Sequence, residues 1–197
     1  MVKLYLSKIN NKASTIGLSK EIIAKVNNFK NKQARVQRIN AHLLLQWAFD
    51  THKVKNQRTR IGKSGKPYLI SGELYFNVSH TKEFVICAIS DNPIGADIET
   101  IDPKLKAMTT GFLSANEQLK YKHSSHVVLT KIWASKEAIV KLLGTGLTKR
   151  LSTIELDNLY TSAKRINVIT LKWKNTFIAL ASRCIINKPL HVITHKI

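Results

Sequence analysis

Three carboxylates in two short segments are the side chains of this sequence best suited to chemistry. Asp97 and Glu99 lie two residues apart in the apolar run Gly-Ala-Asp-Ile-Glu, which has the composition of a β-strand. Side chains at positions i and i+2 of a strand point to the same face, so the two acids form a pair. Such a pair is costly in an apolar strand unless a cation compensates it, and the alternative is a solvated sheet face.

The third carboxylate belongs to a helical segment. Trp133, Glu137 and Lys141 are spaced at i, i+4 and i+8 and therefore share one helix face. Together with the strand pair, this glutamate indicates a hard-cation site with oxygen ligands, such as Mg²⁺ held by carboxylates and substrate phosphates. The alternative is a surface Glu–Lys pair, which stabilises a helix by only ~0.3–0.5 kcal/mol.

Hydrophobic periodicity predicts the elements that position these residues. Long helices are expected over residues 33–50 and 127–143, the second ending at Gly144, and a shorter helix is expected near 115–122. The turn formed by Asp91-Asn92-Pro93 predicts that residues 84–90 and 94–99 form a hairpin. Further strands are expected over residues 2–6, 74–78, 152–156, 166–173, 177–182 and 191–194. The predicted fold class is therefore α+β.

Length and composition favour an ordinary globular protein. The chain has 197 residues, 44% of them hydrophobic, which is enough for one or two small domains. No apolar run approaches the ~20 residues of a spanning helix, and no signal-peptide core is evident. We therefore expect a cytoplasmic protein with no membrane partner. The cysteines, Cys87 and Cys184, lie in apolar runs and are expected to be reduced and buried.

The net charge of +20 needs an explanation. Residues 1–70 contain 15 lysines and arginines against two acids. Such a field attracts nucleic acid, anionic membrane or an acidic protein, and charge alone favours nucleic acid. However, aromatic residues make up only 7% of the chain and do not alternate with basic residues as in a base-stacking surface. A generally basic proteome is the remaining explanation.

Five motifs give the sequence a family resemblance. The segments Gly95–Glu99 and Trp133–Lys141 resemble the G-x-D-x-E and W-x-x-K-E-A-x-x-K motifs of 4′-phosphopantetheinyl transferases. Upstream and between them, Gly65–Pro67, Phe76–Thr81 and Phe112–Glu117 resemble the G-K-P, F-N-x-S-H-S/T and F-S-x-x-E segments of that superfamily. Any one motif is weak evidence, but five in the family's order are specific. The resemblance spans residues 65–147 and fits the Sfp/AcpT-type branch.

The resemblance implies a particular α+β architecture. Sfp-type enzymes are pseudodimers of two similar halves, each a long helix packed on a small, mostly antiparallel sheet, with the active site between the halves. Here the halves would be residues 1–101 and 102–197. A weak internal echo between residues 84–88 and 177–181 agrees with this expectation. A pseudodimer can act alone, so a monomer is expected.

The resemblance also implies an activity. This is Mg²⁺-dependent transfer of 4′-phosphopantetheine from coenzyme A to a serine of an acyl or peptidyl carrier protein, usually acidic, with release of adenosine 3′,5′-bisphosphate. Asp97, Glu99 and Glu137 would bind the metal, while Glu137 and Lys141 would be catalytic. The residues expected to contact coenzyme A are Lys66, Ser79, His80, Lys141, Arg35 and Arg38. The rival functions are a basic nucleic-acid-binding module, which leaves the acids without a role, and a Mg²⁺-dependent phosphodiesterase or nuclease.

The first long helix departs from the family pattern. Where many Sfp-type proteins have an arginine before a Leu-Leu pair, this sequence has His42. Arg35 or Arg38, one or two turns earlier, could replace that arginine at the nucleotide phosphate. Glu117 is expected either to support the site or to stabilise its own helix.

Overall fold

The computed structural model describes residues 1–63, 65–146, 150–156, 166–187, 190 and 192–197. The helices are α1 (Lys20–Asn27), α2 (Lys32–Thr51), α3 (Thr109–Phe112), α4 (Ala115–Tyr121) and α5 (His126–Leu143). The strands are β1 (Val2–Lys8), β2 (Thr59–Ile61), β3 (Pro67–Leu69), β4 (Tyr75–His80), β5 (Phe84–Ser90), β6 (Ile94–Thr100), β7 (Asn167–Trp173), β8 (Thr176–Ser182) and β9 (Val192–His195). Within these described ranges, no helix is both long and apolar enough to cross a membrane.

The first main sheet has the strand order β4-β5-β1-β9, and α2 packs on one of its faces. β5 pairs antiparallel with β4 and β1, whereas β1 pairs parallel with β9. Alternate residues of β5, among them Val85, Cys87 and Ile89, face α2 residues such as Leu44 and Phe49. The long helix predicted over 33–50 is thus confirmed as α2, and it covers one face of the first main sheet.

The second main sheet is antiparallel, with the order β6-β8-β7, and α5 packs on it. Phe177, Ala179 and Ala181 of β8 face α5, while Ile178 and Leu180 face the first sheet. The intervening apolar layer also contains Leu4 and Leu6 of β1, Ile86 and Ala88 of β5, and Ile94, Ala96 and Ile98 of β6. The layers therefore run α2, first sheet, second sheet, α5, which confirms a mixed α+β fold with small, mostly antiparallel sheets.

The hairpin predicted from β5 and β6 is wrong. Both edges of β5 are occupied by β1 and β4, so β6 pairs with β8 instead, with Asp97 opposite Ala179. The apolar residues of β6 pack against β5 across the layer between the sheets. A turn motif predicts that the chain reverses direction, but it does not determine which strand takes the hydrogen bonds.

Two other local expectations need correction, and one helix was not predicted. The segment 152–156 is not a strand, because it begins as a short 3₁₀ helix, Leu151–Thr153. Cys87 is buried as expected, but Cys184 is exposed because it follows the end of β8. The sequence analysis also missed α1, although Ser19 accepts a hydrogen bond from the Ile22 amide as an N-cap. The end of α5 is as predicted, with Gly144 in the left-handed conformation at φ 65°.

Candidate active site

The close approach of α5 to β6 determines the site. A Cβ atom on Gly95 would lie 2.0 Å from the Ala138 carbonyl oxygen and 2.4 Å from the Leu142 amide nitrogen. Only glycine therefore fits at this point of β6. Because Gly95, Asp97 and Glu99 alternate along the strand, the two acids lie on the face of β6 that α5 covers.

Asp97 is buried and forms a hydrogen-bonded cluster with Ser79 and the partly exposed Lys141. Its Oδ1 accepts hydrogen bonds from Lys141 Nζ at 2.5 Å and from Ser79 Oγ at 2.8 Å. Lys141 Nζ also donates to Ser79 Oγ at 2.8 Å. The other carboxylate oxygen of Asp97, Oδ2, is buried and has no hydrogen-bond partner among the described residues. The strand and the helix are thus joined through their charged side chains.

Glu99 is held by the indole of Trp133. Trp133 Nε1 donates a hydrogen bond to Glu99 Oε1 at 3.0 Å, and the Trp133 ring contacts Phe112 edge to face at 5.3 Å. Burial, followed by the charge of Asp97, raises the pKa of Glu99 to about 7. The hydrogen bond from Trp133 opposes this rise because it favours the ionised form.

Glu137 completes the acidic cluster from α5. Burial raises its pKa, the charge of Asp97 adds to the rise, and Lys141 opposes it. Glu137 also contributes to the raised pKa of Glu99. The three carboxylates are therefore close enough to repel one another. The positive charge of Lys141 offsets this repulsion only in part.

The cluster of Asp97, Glu99 and Glu137 concentrates hard oxygen donors in one place. Among the residues that the structure describes, no three His, Cys, Asp or Glu side chains are placed so that they could together hold a metal ion. Mg²⁺ does not require such a group, since it usually binds one or two carboxylates, waters and substrate phosphates. The unpartnered Asp97 Oδ2 and the mutually repelling Glu99 and Glu137 are hard oxygen donors that a cation would stabilise. Oxygen donors of this type are the ones that Mg²⁺ binds in proteins.

His80 and Arg38 lie beside this cluster. His80 Nδ1 is buried without a hydrogen-bond partner in the described part of the chain. Burial lowers the pKa of His80, and the positive charges of Arg38 and Lys141 lower it further. Arg38 also lowers the pKa of His42, after burial. Arg38 in the first half of α2 therefore brings positive charge next to the carboxylates, and the lowered pKa of His80 favours its neutral form.

The remaining sequence-predicted residues have other contacts. Arg35 is exposed, and its Nη2 donates to Asn27 Oδ1 at 2.6 Å. Lys66 Nζ donates to the carbonyl oxygens of Ile94 at 3.0 Å and Leu142 at 3.3 Å. Lys66 thus links the start of β6 to the end of α5, and burial lowers its pKa to about 8. Neither residue belongs to the Asp97 cluster.

Sequence reasoning missed two features of this site. It gave Gly95 no packing role, although a glycine inside an apolar strand can signal close backbone approach. It also gave Lys136 no partner, whereas the ammonium group of Lys136 is completely buried and paired with Glu117. The signal was available in the apolar and small residues around Lys136, because a lysine in such surroundings needs a partner.

Comparison with known proteins identifies the superfamily. Residues 93–186, which include β6, α5 and β8, match the model of the 4′-phosphopantetheinyl transferase superfamily. This segment of the chain is similar to that superfamily. The superfamily expected from the five motifs is therefore confirmed.

Curated relatives agree with this assignment. The chain is 29% identical over 121 residues to 4′-phosphopantetheinyl transferase gsp of Aneurinibacillus migulanus, covering 58% of this chain and 51% of that protein. It is 30% identical over 115 residues to 4′-phosphopantetheinyl transferase Sfp of Bacillus subtilis strain 168, covering 56% and 50% respectively. With psf-1 of Bacillus pumilus the identity is 34% over 95 residues, covering 46% and 41%.

These similarities are partial in extent. The chain spans about half the length of the curated relatives that it matches. The relatives are all named as transferases, which supports the expectation of a transferase enzyme.

Proposed function

We propose that this protein transfers 4′-phosphopantetheine from coenzyme A to a serine of an acyl or peptidyl carrier protein. The observation that carries the proposal is the cluster in which Asp97, Glu99 and Glu137 interact with one another and with Lys141. A pyrophosphate substrate needs both cationic groups and a metal-binding carboxylate set in one place. The superfamily match over the same segments supports this assignment.

Glu137 is proposed as the group that accepts the proton of the carrier serine, directly or through water. Burial and the charge of Asp97 raise its pKa, which makes the carboxylate a better base near neutral pH. The serine oxygen then attacks the β-phosphorus of coenzyme A, and adenosine 3′,5′-bisphosphate leaves. The nucleophile belongs to the partner protein, so no serine or cysteine of this chain forms a covalent intermediate.

Asp97, Glu99 and Glu137 are proposed as the residues that hold Mg²⁺. The chemistry supplied by the bound ion is charge neutralisation on the phosphate oxygens. Trp133 orients Glu99 through its indole N–H, and Ser79 orients Asp97. Lys141 has 29% of its side chain exposed and is therefore able to reach a phosphate from the position it occupies beside Asp97.

His80 and Arg38 are proposed to bind the coenzyme A phosphates. The positive charges of Arg38 and Lys141, which both lower the pKa of His80, suit an anion next to the carboxylate cluster. Ser79 contributes through its contact with Asp97 and Lys141. Arg35 and Lys66 stand as further candidates, Arg35 from the exposed surface of α2 and Lys66 from its position beside the end of α5.

We also propose that the two halves form a pseudodimer that acts as a monomer in the cytoplasm. Each half has a long helix followed by paired strands, α2 before β4 and β5, and α5 before β7 and β8. With a boundary at residues 101 and 102, β6 of the first half pairs with β8, and β9 of the second half pairs with β1. The two halves thus exchange strands.

The test is to incubate the protein with coenzyme A, Mg²⁺ and an apo carrier protein and to measure the mass of the carrier. A gain equal to one phosphopantetheine arm on the acceptor serine is expected. The matched control is a carrier with that serine replaced by alanine. If coenzyme A is cleaved while the carrier keeps its mass, the phosphodiesterase alternative would be favoured and the transferase proposal would be wrong.

A further inference from the structure

A buried ion pair lies behind the candidate active site and joins α5 to α4. Lys136 Nζ contacts Glu117 Oε2, and the two side chains are 0% and 2% exposed. The ammonium group also donates to the carbonyl oxygens of Phe112 at 2.6 Å and Leu151 at 3.3 Å. An ammonium group has three donors, and each has an acceptor here.

The carboxylate of Glu117 is equally well satisfied. Its Oε2 accepts the Ser114 amide at 2.9 Å as part of a capping box, and its Oε1 accepts the Leu156 amide at 3.0 Å. Ser114 Oγ in turn donates to Glu155 Oε1 at 2.9 Å. One ion pair therefore joins α5, the start of α4 and the segment 150–156.

Two short paths lead from this pair to the acids of the site. Phe112, whose carbonyl group binds Lys136, also contacts the Trp133 ring, and Trp133 donates to Glu99. Phe112, Trp133, Leu151 and Leu156 pack in one apolar cluster. Along the chain, Lys136 directly precedes Glu137. Three contacts thus link the pair to Glu99, and Lys136 is the neighbour of Glu137 in the sequence.

A contribution to folding stability does not by itself explain the buried pair of Lys136 and Glu117. Apolar residues of similar volume often replace a buried ion pair with no loss of stability, because desolvation offsets the attraction between the charges. The pair does something that apolar side chains cannot do, since it binds four backbone groups at once.

We propose that Glu117 and Lys136 are positioning residues that orient Trp133, and through it Glu99, relative to Glu137. This inference rests on the proposed transferase function. It assigns the two residues no contact with coenzyme A or with the carrier protein. It gives the pair a measurable effect on a hydrogen bond whose donor is a tryptophan indole.

The first experiment measures the hydrogen bond from Trp133 to Glu99 in the absence of substrate. The indole N–H resonances of the protein are recorded by ¹⁵N NMR, and the Trp133 signal is assigned with Trp133→Phe among the three tryptophans. In the double variant Glu117→Gln/Lys136→Met, which removes both charges, we expect the Trp133 resonance to shift and its hydrogen exchange to accelerate. The matched control is Glu73→Gln/Lys131→Met, which changes the same residue types at exposed positions.

The second experiment measures transfer by the same variants. We expect kcat of the Glu117→Gln/Lys136→Met variant to fall about 10- to 100-fold, as is usual when groups that orient ligands are lost. The KM for coenzyme A should remain near the wild-type value, because neither residue contacts it. A folded double variant with an unchanged Trp133 resonance and wild-type kcat would overturn the inference.

A milder variant covers the case in which the double variant does not fold. Glu117→Asp keeps both charges but shortens the carboxylate arm, and it is combined with Trp133→Phe in a double-mutant cycle. If the pair acts through the indole, the fold-loss of kcat in the Glu117→Asp/Trp133→Phe variant should be smaller than the product of the two single-variant losses. Independent, multiplying effects would overturn the inference. If wild-type protein shows no transfer at all, the proposed function fails, while the NMR comparison still tests the positioning.

Discussion

The backbone of Gly95 in β6 lies directly against Ala138 in α5, so that a methyl group on Gly95 would lie 2.0 Å from the Ala138 carbonyl oxygen. This contact sets the distance between the strand that carries Asp97 and Glu99 and the helix that carries Glu137 and Lys141. The glycine of the G-x-D-x-E motif therefore has a packing role distinct from the chemistry of the acids that follow it.

Replacing this glycine should damage both stability and activity. In Gly95→Ala the new methyl group would meet helix backbone atoms, which cannot rotate away as a side chain would. We expect the free energy of unfolding to fall by about 1–3 kcal/mol, as for other overpacked cores. A displaced helix should also lower kcat at least about tenfold, since small misplacements of reacting groups are costly. Urea unfolding and the transfer assay measure the two effects.

Gly111→Ala is the matched control for this prediction. Gly111 lies in the short helix α3, and a Cβ atom there would meet no described atom within 4 Å. Alanine should therefore leave stability unchanged or raise it slightly, because it restricts the unfolded chain. Equal losses in the two variants would show that the close approach at Gly95 has no special importance.

The sequence predicted the parts of this site that depend on local periodicity. Alternation in β6 placed Asp97 and Glu99 on one face, and helical spacing aligned Trp133 with Glu137. The sequence could not predict that β6 pairs with β8, because strand pairing depends on which edges remain free in the folded sheet. Nor could it predict that Lys136 pairs with Glu117, since this contact joins residues 19 positions apart.

Removing Lys141 should affect stability as well as turnover. Its sequence spacing alone suggests a surface pair with Glu137 worth a few tenths of a kcal/mol. In the structure, Lys141 instead contacts the buried carboxylate of Asp97. We expect Lys141→Ala to lower kcat about 100-fold, because the ammonium group of Lys141 would no longer stabilise the negative charge on the transferring phosphate. Stability should fall by about 1–2 kcal/mol, less than for a fully buried pair because Lys141 is partly exposed.

Lys131→Ala provides the comparison for Lys141. Lys131 lies in the same helix but is exposed to solvent. Lys131→Ala should change the free energy of unfolding by no more than about 0.5 kcal/mol. It should leave kcat near the wild-type value. Full activity of Lys141→Ala at saturating coenzyme A and carrier would contradict the phosphate role.

Lys66 should make stability depend on pH in the alkaline range. Burial lowers its pKa to about 8 in the folded protein, below the ordinary value of 10.5. Between these values the unfolded chain binds more protons, so the contribution of Lys66 to stability should rise as pH increases from about 8 towards 10.5. Lys66→Met removes this contribution.

The measurement is the difference in unfolding free energy between wild-type protein and Lys66→Met at pH 7.5 and pH 10. Between these two pH values we expect the wild type to gain about 1 kcal/mol of unfolding free energy relative to Lys66→Met. This gain is smaller than the full pKa shift would give, because the ammonium group is partly solvated. Lys63→Met, at an exposed position nearby, is the control. A difference that is constant with pH would show that Lys66 is solvated and free to reach a ligand.

The basic first third of the chain should control carrier binding through long-range electrostatics. Residues 1–70 contain 15 lysines and arginines against two acids, and Lys25, Lys30 and Lys32 are exposed around α1 and the start of α2. Exposed charges are screened beyond ~8–10 Å at physiological salt. The KM for an acidic carrier should therefore rise with salt, while kcat at saturating carrier changes much less, because steering acts on association.

Replacing Lys25, Lys30 and Lys32 together with glutamine should reproduce the effect of salt on KM and reduce its further salt dependence. The control replaces Lys172, Lys174 and Lys196, which are exposed elsewhere and change the net charge by the same amount. The assay titrates the carrier at saturating coenzyme A over a salt series. If both triple variants behave alike, only the overall charge matters. A KM independent of salt would rule out electrostatic docking of the carrier and make nucleic-acid binding the next explanation of the +20 charge to test.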